Sequence, residues 1–400
     1  MLSRCVAVDT DVFAAQYWGR RPLLSRSDAL PRDFTDLLSP AAVDELITSR
    51  GVRAPFLRMA KEGSLLAREC YVDAAGFGAE MPDQVDSARV LAQLADGATL
   101  VLQGLHRLWP PLIDFVRDAV DDLGHPVQAN AYITPPGNRG FDAHYDVHDV
   151  FVLQVSGAKR WIVHEPVHPD PLPSQPWTDH RVAIAARVVD APVIDTTLTA
   201  GDALYLPRGW LHSAVSEDAT SIHLTIGVST MTGVDVLRAL VDTLATTPEF
   251  RASLPMGVDP TDSAETAALA TKLLAAMAAT VGERADDLAD GIAARLARRH
   301  ADRTRPVPVA PLATLDAAAA ADTTPVRWRH GLWATLEETE GRVRLRLLDR
   351  TISLPAFCRP ALEALLSGGV LDAGTLPGLD DHDGTVLVRR LLREAVVVSG

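Results

Sequence analysis

From residue 127 to about 230, short apolar runs alternate with Gly/Pro turns: VFVLQV, RWIVHE, ALYLP and SIHLTIGV. Runs this short, evenly spaced and rich in β-branched and aromatic residues, predict the strands of an all-β barrel or sandwich. The pattern before this block is mixed. Asp11 opens a helix-like segment through Phe13, Tyr17 and Trp18 that ends near Gly19 and Pro22. Leu102, Leu105, Leu108 and Leu112 predict a helix over 96–120, interrupted near Pro110. From 232 to 300 the period is helical. Asp262-x-x-Glu265 reads as a capping box. Leu269, Leu273, Met277 and Val281 repeat every four residues, and Leu288, Ile292 and Leu296 continue the stripe. A stripe of this kind packs on the barrel or on a second copy of the chain, and its spacing does not choose between them.

Residues 301–325, with RPVPVAP and the Ala317–Ala321 run, read as a linker. After it, RVRLRLL reads as a strand, Leu354 to Leu366 and VLVRRLLRE as helices, and AVVVS as a closing strand, which suggests a winged-helix module. The expected organisation is a mixed lead-in over 1–95 packing on the barrel and a β-rich core over 96–231. A helical region over 232–300, the linker and a C-terminal module over 326–400 follow.

Composition narrows the class. With 400 residues and 47% hydrophobic content, the chain can bury a large core, and wholesale disorder is excluded. No apolar run reaches the roughly 18–20 residues needed to span a bilayer. MLSRCVAVDTDVF lacks a long apolar core followed by a small-residue cleavage site, so a cytoplasmic location without a membrane segment is expected. Cys5, Cys70 and Cys358 lie far apart with no C-x-x-C pair, which argues against a disulfide framework and a Cys-type zinc site; reduced, mostly buried thiols are expected. The net charge of −14 disfavours direct contact with nucleic acid and suits a basic protein partner. Residues 351–400 carry four Arg against six Asp/Glu, which weakens a DNA-reading role for the tail.

The chemistry-bearing residues fall within the β block, in NAYITPPGNRGFDAHYDVHDVFVLQVSGAKRW (130–161) and GDALYLPRGWLHSAVS (201–216). On a strand, side chains alternate faces, so His144 and Asp146 would point the same way. His212, after a Pro207/Gly209 turn, adds a second imidazole from a distant strand. Two His and one carboxylate form the ligand set of non-haem Fe(II), with one face left open. Zinc competes for such a set; the Asp and the lack of Cys ligands favour iron. His148 shares the parity of His144 and reads as a residue beside the site, because the strand has by then run past the metal. Lys159 stands on the next strand after a Gly157 turn, where a buried cation would suit a carboxylate.

These segments resemble the JmjC-type ribosomal oxygenases of the cupin superfamily, most strongly from Asn130 to Trp161 and from Gly201 to about Ile226. AAQYWGRRPLL (14–24) is similar to the family's opening. The resemblance implies an α+β chain: a double-stranded β-helix (cupin/JmjC) barrel, a helical dimerisation region and a C-terminal winged helix. It implies Fe(II) on His144, Asp146 and His212. It also implies 2-oxoglutarate anchored by Lys159 in a pocket lined by Asn130 and Tyr132. A hydroxyl residue often follows the family's HLT segment; here His223-Leu224-Thr225 is followed by Ile226-Gly227, and Ser229 is offset. The implied activity is hydroxylation of an Arg or His side chain in a protein, a ribosomal one for a bacterial chain, by a homodimer. Three alternatives remain: an oxygenase for a small molecule or modified peptide, a non-catalytic metal-binding cupin, and a DNA-binding regulator built on the tail. Histone demethylation, known in related JmjC proteins, is disfavoured because nothing here resembles a chromatin-reading module.

Overall fold

In the computed structural model, which describes residues 1–78, 80–139 and 141–400, two units form. Met1–Thr230 holds the strands β1 (Leu23–Ser25), β2 (Leu57–Lys61), β3 (Ser64–Leu65), β4 (Val72–Asp73), β5 (Gln84–Val85) and β6 (Thr99–Leu102). It continues with β7 (Val127–Thr134), β8 (Asp149–Ser156), β9 (Ala158–His164), β10 (Ile194–Thr199), β11 (Ala203–Leu206), β12 (Leu211–Ser216) and β13 (Ser221–Val228). Eight of them run β1-β11-β8-β13-β7-β6-β2-β3, and β10-β9-β12 make a second sheet; β4 pairs with β5. The lead-in over 1–95 therefore supplies strands to the main sheet as well as helices against it.

Alternation along β8 explains the layering. Phe151, Leu153 and Val155 face a core with α1 (Thr10–Gln16), α2 (Pro40–Ser49), α3 (Ser87–Ala95) and α4 (Pro110–Leu123), while α5 (Arg181–Arg187) follows β9 in the chain. Val150 and Val152 face the other way and meet Trp161, Val163, Leu198, Leu204 and Leu206. A strand buried on both faces reads as a continuous apolar run, as VFVLQV does. The two sheets thus enclose an inner layer, which is the expected double-stranded β-helix. Each fully buried Val, Leu or Phe contributes about 1.5–3 kcal/mol to this arrangement.

The helix expected over 96–120 is not one element. Thr99–Leu102 is a fully buried strand, and α4 starts at Pro110. Proline is suited to the first turn of a helix, where its missing N–H has no partner to lose. The Leu spacing joined two elements that the proline separates.

Met231–Gly400 opens with α6 (Gly233–Leu244), where Thr232 and Asp235 form a capping box, then α7 (Pro248–Arg251), α8 (Ser263–Glu283) and α9 (Ala285–Thr304). Asp262 caps α8 through the Ala264 and Glu265 amides. Glu265, however, accepts from the Asp259 amide, so the expected reciprocal box is absent. No residue of α8 is buried within its unit, whereas Leu288 of α9 is. By length and composition α8 could also cross a membrane, because alanines raise its mean hydropathy although Glu265 and Lys272 interrupt the apolar run.

Residues 301–325 are not an open linker. They contain α10 (Pro311–Ala319), and Ala318 and Ala321 are buried in the core of this unit. Alanine is the strongest helix former and fits a close approach. The rest comprises β14 (Val326–Trp328), β15 (Thr335–Thr339), β16 (Arg342–Arg346), β17 (Thr351–Pro355), α11 (Arg359–Leu366), α12 (Asp381–Arg393) and β18 (Val397–Ser399). Strands β15-β16-β17 form one sheet ahead of α11 and α12, and β18 returns to pair with β14. Leu354 lies in β17, so the helix predicted from that residue starts later, at Arg359. Cys5 and Cys358 are buried, and Cys70 is exposed.

Candidate metal and co-substrate site

His144 and Asp146 are not on a regular strand. They lie in the extended segment before β8, joined to β12 by one isolated antiparallel bridge, His144 to His212. The His144 amide donates to the His212 carbonyl at 3.2 Å, and the His212 amide donates back at 2.8 Å. The two ligand segments thus converge as expected, but through a tight backbone bridge rather than the continuous strand ladder that alternation predicts.

The three residues offer ligand atoms that all lie within 4.8 Å of one another. His212 Nε2 is 3.8 Å from Asp146 Oδ2. His144 Nδ1 is 2.7 Å from the Asp142 carbonyl, and His212 Nδ1 is 3.1 Å from the Trp210 carbonyl. A carbonyl only accepts, so each Nδ1 carries a proton, which leaves Nε2 as the ligating atom of each ring. This tautomer is the one metal-ligating histidines adopt. Burial, then the neighbouring His144, pushes His212 down to about 4, so it is neutral and ready to ligate. Burial raises the Asp146 carboxyl, but His148, His212, His144 and Arg58 outweigh it and hold the group below its usual range. The donor set therefore fits a divalent cation: two imidazoles that can each present Nε2, and one ionised carboxylate.

A cavity of about 300 Å³ opens on this triad between the two sheets. Its walls include Tyr132, Val150, Val152, Lys159, Trp161, His223 and Thr225, supplied by the inward-facing positions of β7, β8, β9 and β13. Lys159 is only 4% exposed, and its Nζ donates to Thr134 Oγ1 at 3.2 Å. Burial alone pushes its ammonium down to about 7. Among the described residues it makes no ion pair. A buried cation without a carboxylate partner is costly, and an anionic ligand would remove that cost.

Tyr132 reaches the cavity, stacked on His223 with ring centroids 5.0 Å apart. Burial raises its hydroxyl, and the Asp146 charge adds to this. Asn130 is not among the cavity walls. Its Oδ1 accepts from the Gly104 amide at 3.0 Å and so ties β7 to the turn after β6. Its assignment to the pocket is not met by this arrangement, because the backbone hydrogen bond takes the polar end of the side chain. His148 stays outside the triad, close enough to act on Asp146 through charge.

Arg58, Trp177 and Thr134 also belong to the site, and the sequence does not single them out. Arg58 lines the cavity from β2, and its Nε has no hydrogen-bond partner. Trp177 comes from the segment between β9 and β10, with its ring 6.0 Å from that of His144. No local motif marks either residue, since both arrive through long-range pairing. His223 was legible only as part of the HLT segment. It is fully buried with no partner at Nδ1, and burial, then Lys159, holds it well below the usual histidine range.

Residues 112–236 match the JmjC domain family. A bifunctional lysine-specific demethylase and histidyl-hydroxylase NO66 of Drosophila simulans is 43% identical over 108 residues, 26% of this chain and 12% of that protein. Ribosomal oxygenase 1 of Gallus gallus is 31% identical over 217 residues, 54% of this chain and 34% of that protein. The chain thus spans about a third or less of the length of these two relatives. Among solved structures, the Escherichia coli ribosomal oxygenase YcfD superposes with a TM-score of 0.54 at 17% identity, covering 98% of each chain. YcfD in complex with cobalt and 2-oxoglutarate gives 0.52 at 17% identity, over 98% of this chain and 99% of that one. At these identities the likeness is one of fold.

Proposed function

Given that this chain carries a JmjC domain, we propose that it is an Fe(II)- and 2-oxoglutarate-dependent oxygenase that hydroxylates a side chain of a protein. The observation that carries the reading is the buried ammonium of Lys159, without an ion-pair partner among the described residues, in the same cavity as the His144, Asp146 and His212 triad. When bound, ferrous iron with 2-oxoglutarate supplies the oxidation of a C–H bond by O2. His144, Asp146 and His212 would hold the metal. Lys159 would bind the distal carboxylate of 2-oxoglutarate, and Tyr132 would line its pocket. Trp161, Val150 and Val152 make the walls apolar, which keeps water out and strengthens the charge–charge contact.

The names of the relatives support a ribosomal protein as substrate, and hence a cytoplasmic setting. Between Arg and His as the target, the cavity favours His. Its charged walls are Arg58, Lys159 and Asp146. With Asp146 at the metal and Lys159 on the co-substrate, Arg58 meets the incoming side chain. A neutral imidazole fits there at lower electrostatic cost than a guanidinium. We further propose that the 232–300 region mediates a homodimer and that 326–400, with helices α11 and α12 beside β15–β17, acts as a winged-helix-like module for protein contact.

The test is anaerobic purification, then addition of Fe(II), 2-oxoglutarate and O2 with ribosomal proteins. Succinate and +16 Da peptides are expected, localised to His residues. Absence of succinate with every ribosomal fraction, in protein that has taken up one Fe(II), rejects the reading.

A further inference from the structure

Asp149 opens β8 and is completely buried. Its Oδ2 accepts from the Tyr205 hydroxyl at 2.6 Å, and its Oδ1 accepts from the Arg208 amide at 3.0 Å. The Tyr205 oxygen in turn accepts from the Gly19 amide at 2.8 Å. The carboxylate thus grips the Pro207–Trp210 turn at its second residue.

That turn contacts both halves of the triad. The Gly209 amide donates to the Asp146 carbonyl at 3.0 Å, and the Trp210 carbonyl accepts from His212 Nδ1 at 3.1 Å. Gly209 sits at φ +87, where a Cβ would meet the His168 carbonyl at 2.8 Å, so the turn has little room to relax. We infer that Asp149 is a positioning residue. By clamping the Arg208 amide it fixes the turn that holds the Asp146 backbone and orients the His212 ring, and so it sets the affinity of the triad for its metal.

The residue type supports a carboxylate rather than an amide. Two donors, an O–H and an N–H, converge on the side chain, and the Arg208 guanidinium lies 3.9 Å from Oδ1. An asparagine would offer one oxygen to two donors, so its N–H group would face either the Arg208 amide or the Tyr205 hydroxyl, and the two bonds could not both be kept.

This inference rests on the metal reading above, and the test separates the two. The full chain is stripped with a chelator and titrated with Co(II), followed by its visible absorption, with the thermal midpoint of the apo-protein measured alongside. For Asp149→Asn we expect a Kd raised about 10-fold or more, within the range for residues that orient metal ligands, and an altered band shape. Tyr205→Phe, which keeps the Arg208 bond, should raise Kd less. Parental Kd and band shape in Asp149→Asn overturn the inference, even if the apo midpoint falls. If Asp149→Asn does not fold, parental values in Tyr205→Phe overturn it instead. A parent protein that takes up no Co(II) overturns the metal reading, and this inference with it.

Discussion

The main chains of His144 and His212 donate to each other, at 3.2 Å and 2.8 Å, so the two imidazoles are fixed as direct cross-chain neighbours. Their ring centroids lie 4.5 Å apart. Two ligands held by reciprocal backbone bonds need little further ordering to meet a cation.

Removing one of them should therefore remove the site. His144→Ala leaves the backbone bridge intact, because only amides and carbonyls form it. The expected outcome is an unchanged fold by circular dichroism, no stoichiometric Co(II) binding and no succinate. A variant that still turns over at the parental rate would take His144 out of the site.

Gly209 tests the same region through the backbone. Its φ of +87 and the nearby His168 carbonyl leave no space for a side chain. Left-handed backbone costs an ordinary residue about 1–2 kcal/mol, and the Gly209 amide also donates to the Asp146 carbonyl. Gly209→Ala should lower the thermal midpoint by several degrees and weaken metal uptake together, read by differential scanning fluorimetry with and without Co(II). An unchanged midpoint and uptake would contradict the strain argument.

Lys159 links the site to pH. Burial holds its ammonium down to about 7, below the roughly 10.4 of an unfolded lysine. Between these values the unfolded chain binds more protons, so this group makes stability rise with pH, and its burial cost is full below about pH 7. A bound carboxylate favours the ammonium, so 2-oxoglutarate binding above pH 7 must take up a proton. The KM for 2-oxoglutarate should climb as pH rises above 7 in the parent and stay flatter in Lys159→Arg, whose guanidinium remains charged. Lys159→Ala should raise KM roughly 30-fold or more, the scale of truncating a buried charge pair. Steady-state kinetics from pH 6 to 9 decide; a parental KM in Lys159→Ala would exclude this residue as the anchor.

The β block and the triad were readable because their signals are local. VFVLQV and SIHLTIGV announce strands, and His144-x-Asp146 with His212 stands out by residue type. Arg58 was invisible for the opposite reason. It enters the cavity only because β2 pairs with β6 and β6 with β7, three segments far apart in sequence. Asn130 was misplaced because its position on β7 is right for the pocket, while a hydrogen bond to Gly104 holds its side chain elsewhere. Residues 301–325 looked like a linker because proline and alanine dominate; the burial of Ala318 and Ala321 could not be read from composition.

Arg58 gives a prediction about the target residue. If its guanidinium meets the incoming side chain, a cationic peptide is disfavoured and a neutral one accepted. Arg58→Met should leave Co(II) affinity near the parental value. It should raise the yield of +16 Da on Arg-containing peptides relative to His-containing ones, scored by mass spectrometry on paired synthetic peptides. An unaltered ratio would remove Arg58 from substrate selection.

The helix α8 carries the last prediction. Leu273 is 43% exposed and Leu274 60% exposed, and Val281 is also exposed, on a 21-residue helix with no buried residue in its unit. An exposed apolar stripe of this length marks a contact surface. Burying two leucines across a two-fold axis would contribute about 1.5–3 kcal/mol for each side chain, and a pair of carboxylates there would oppose association. Leu273→Glu combined with Leu274→Glu should convert the chain from dimer to monomer, measured by light scattering after size exclusion. The metal site lies in the other unit, so Co(II) uptake should be unchanged. A parent protein that is already monomeric, or a variant that remains dimeric, would rule out α8 as the dimer contact.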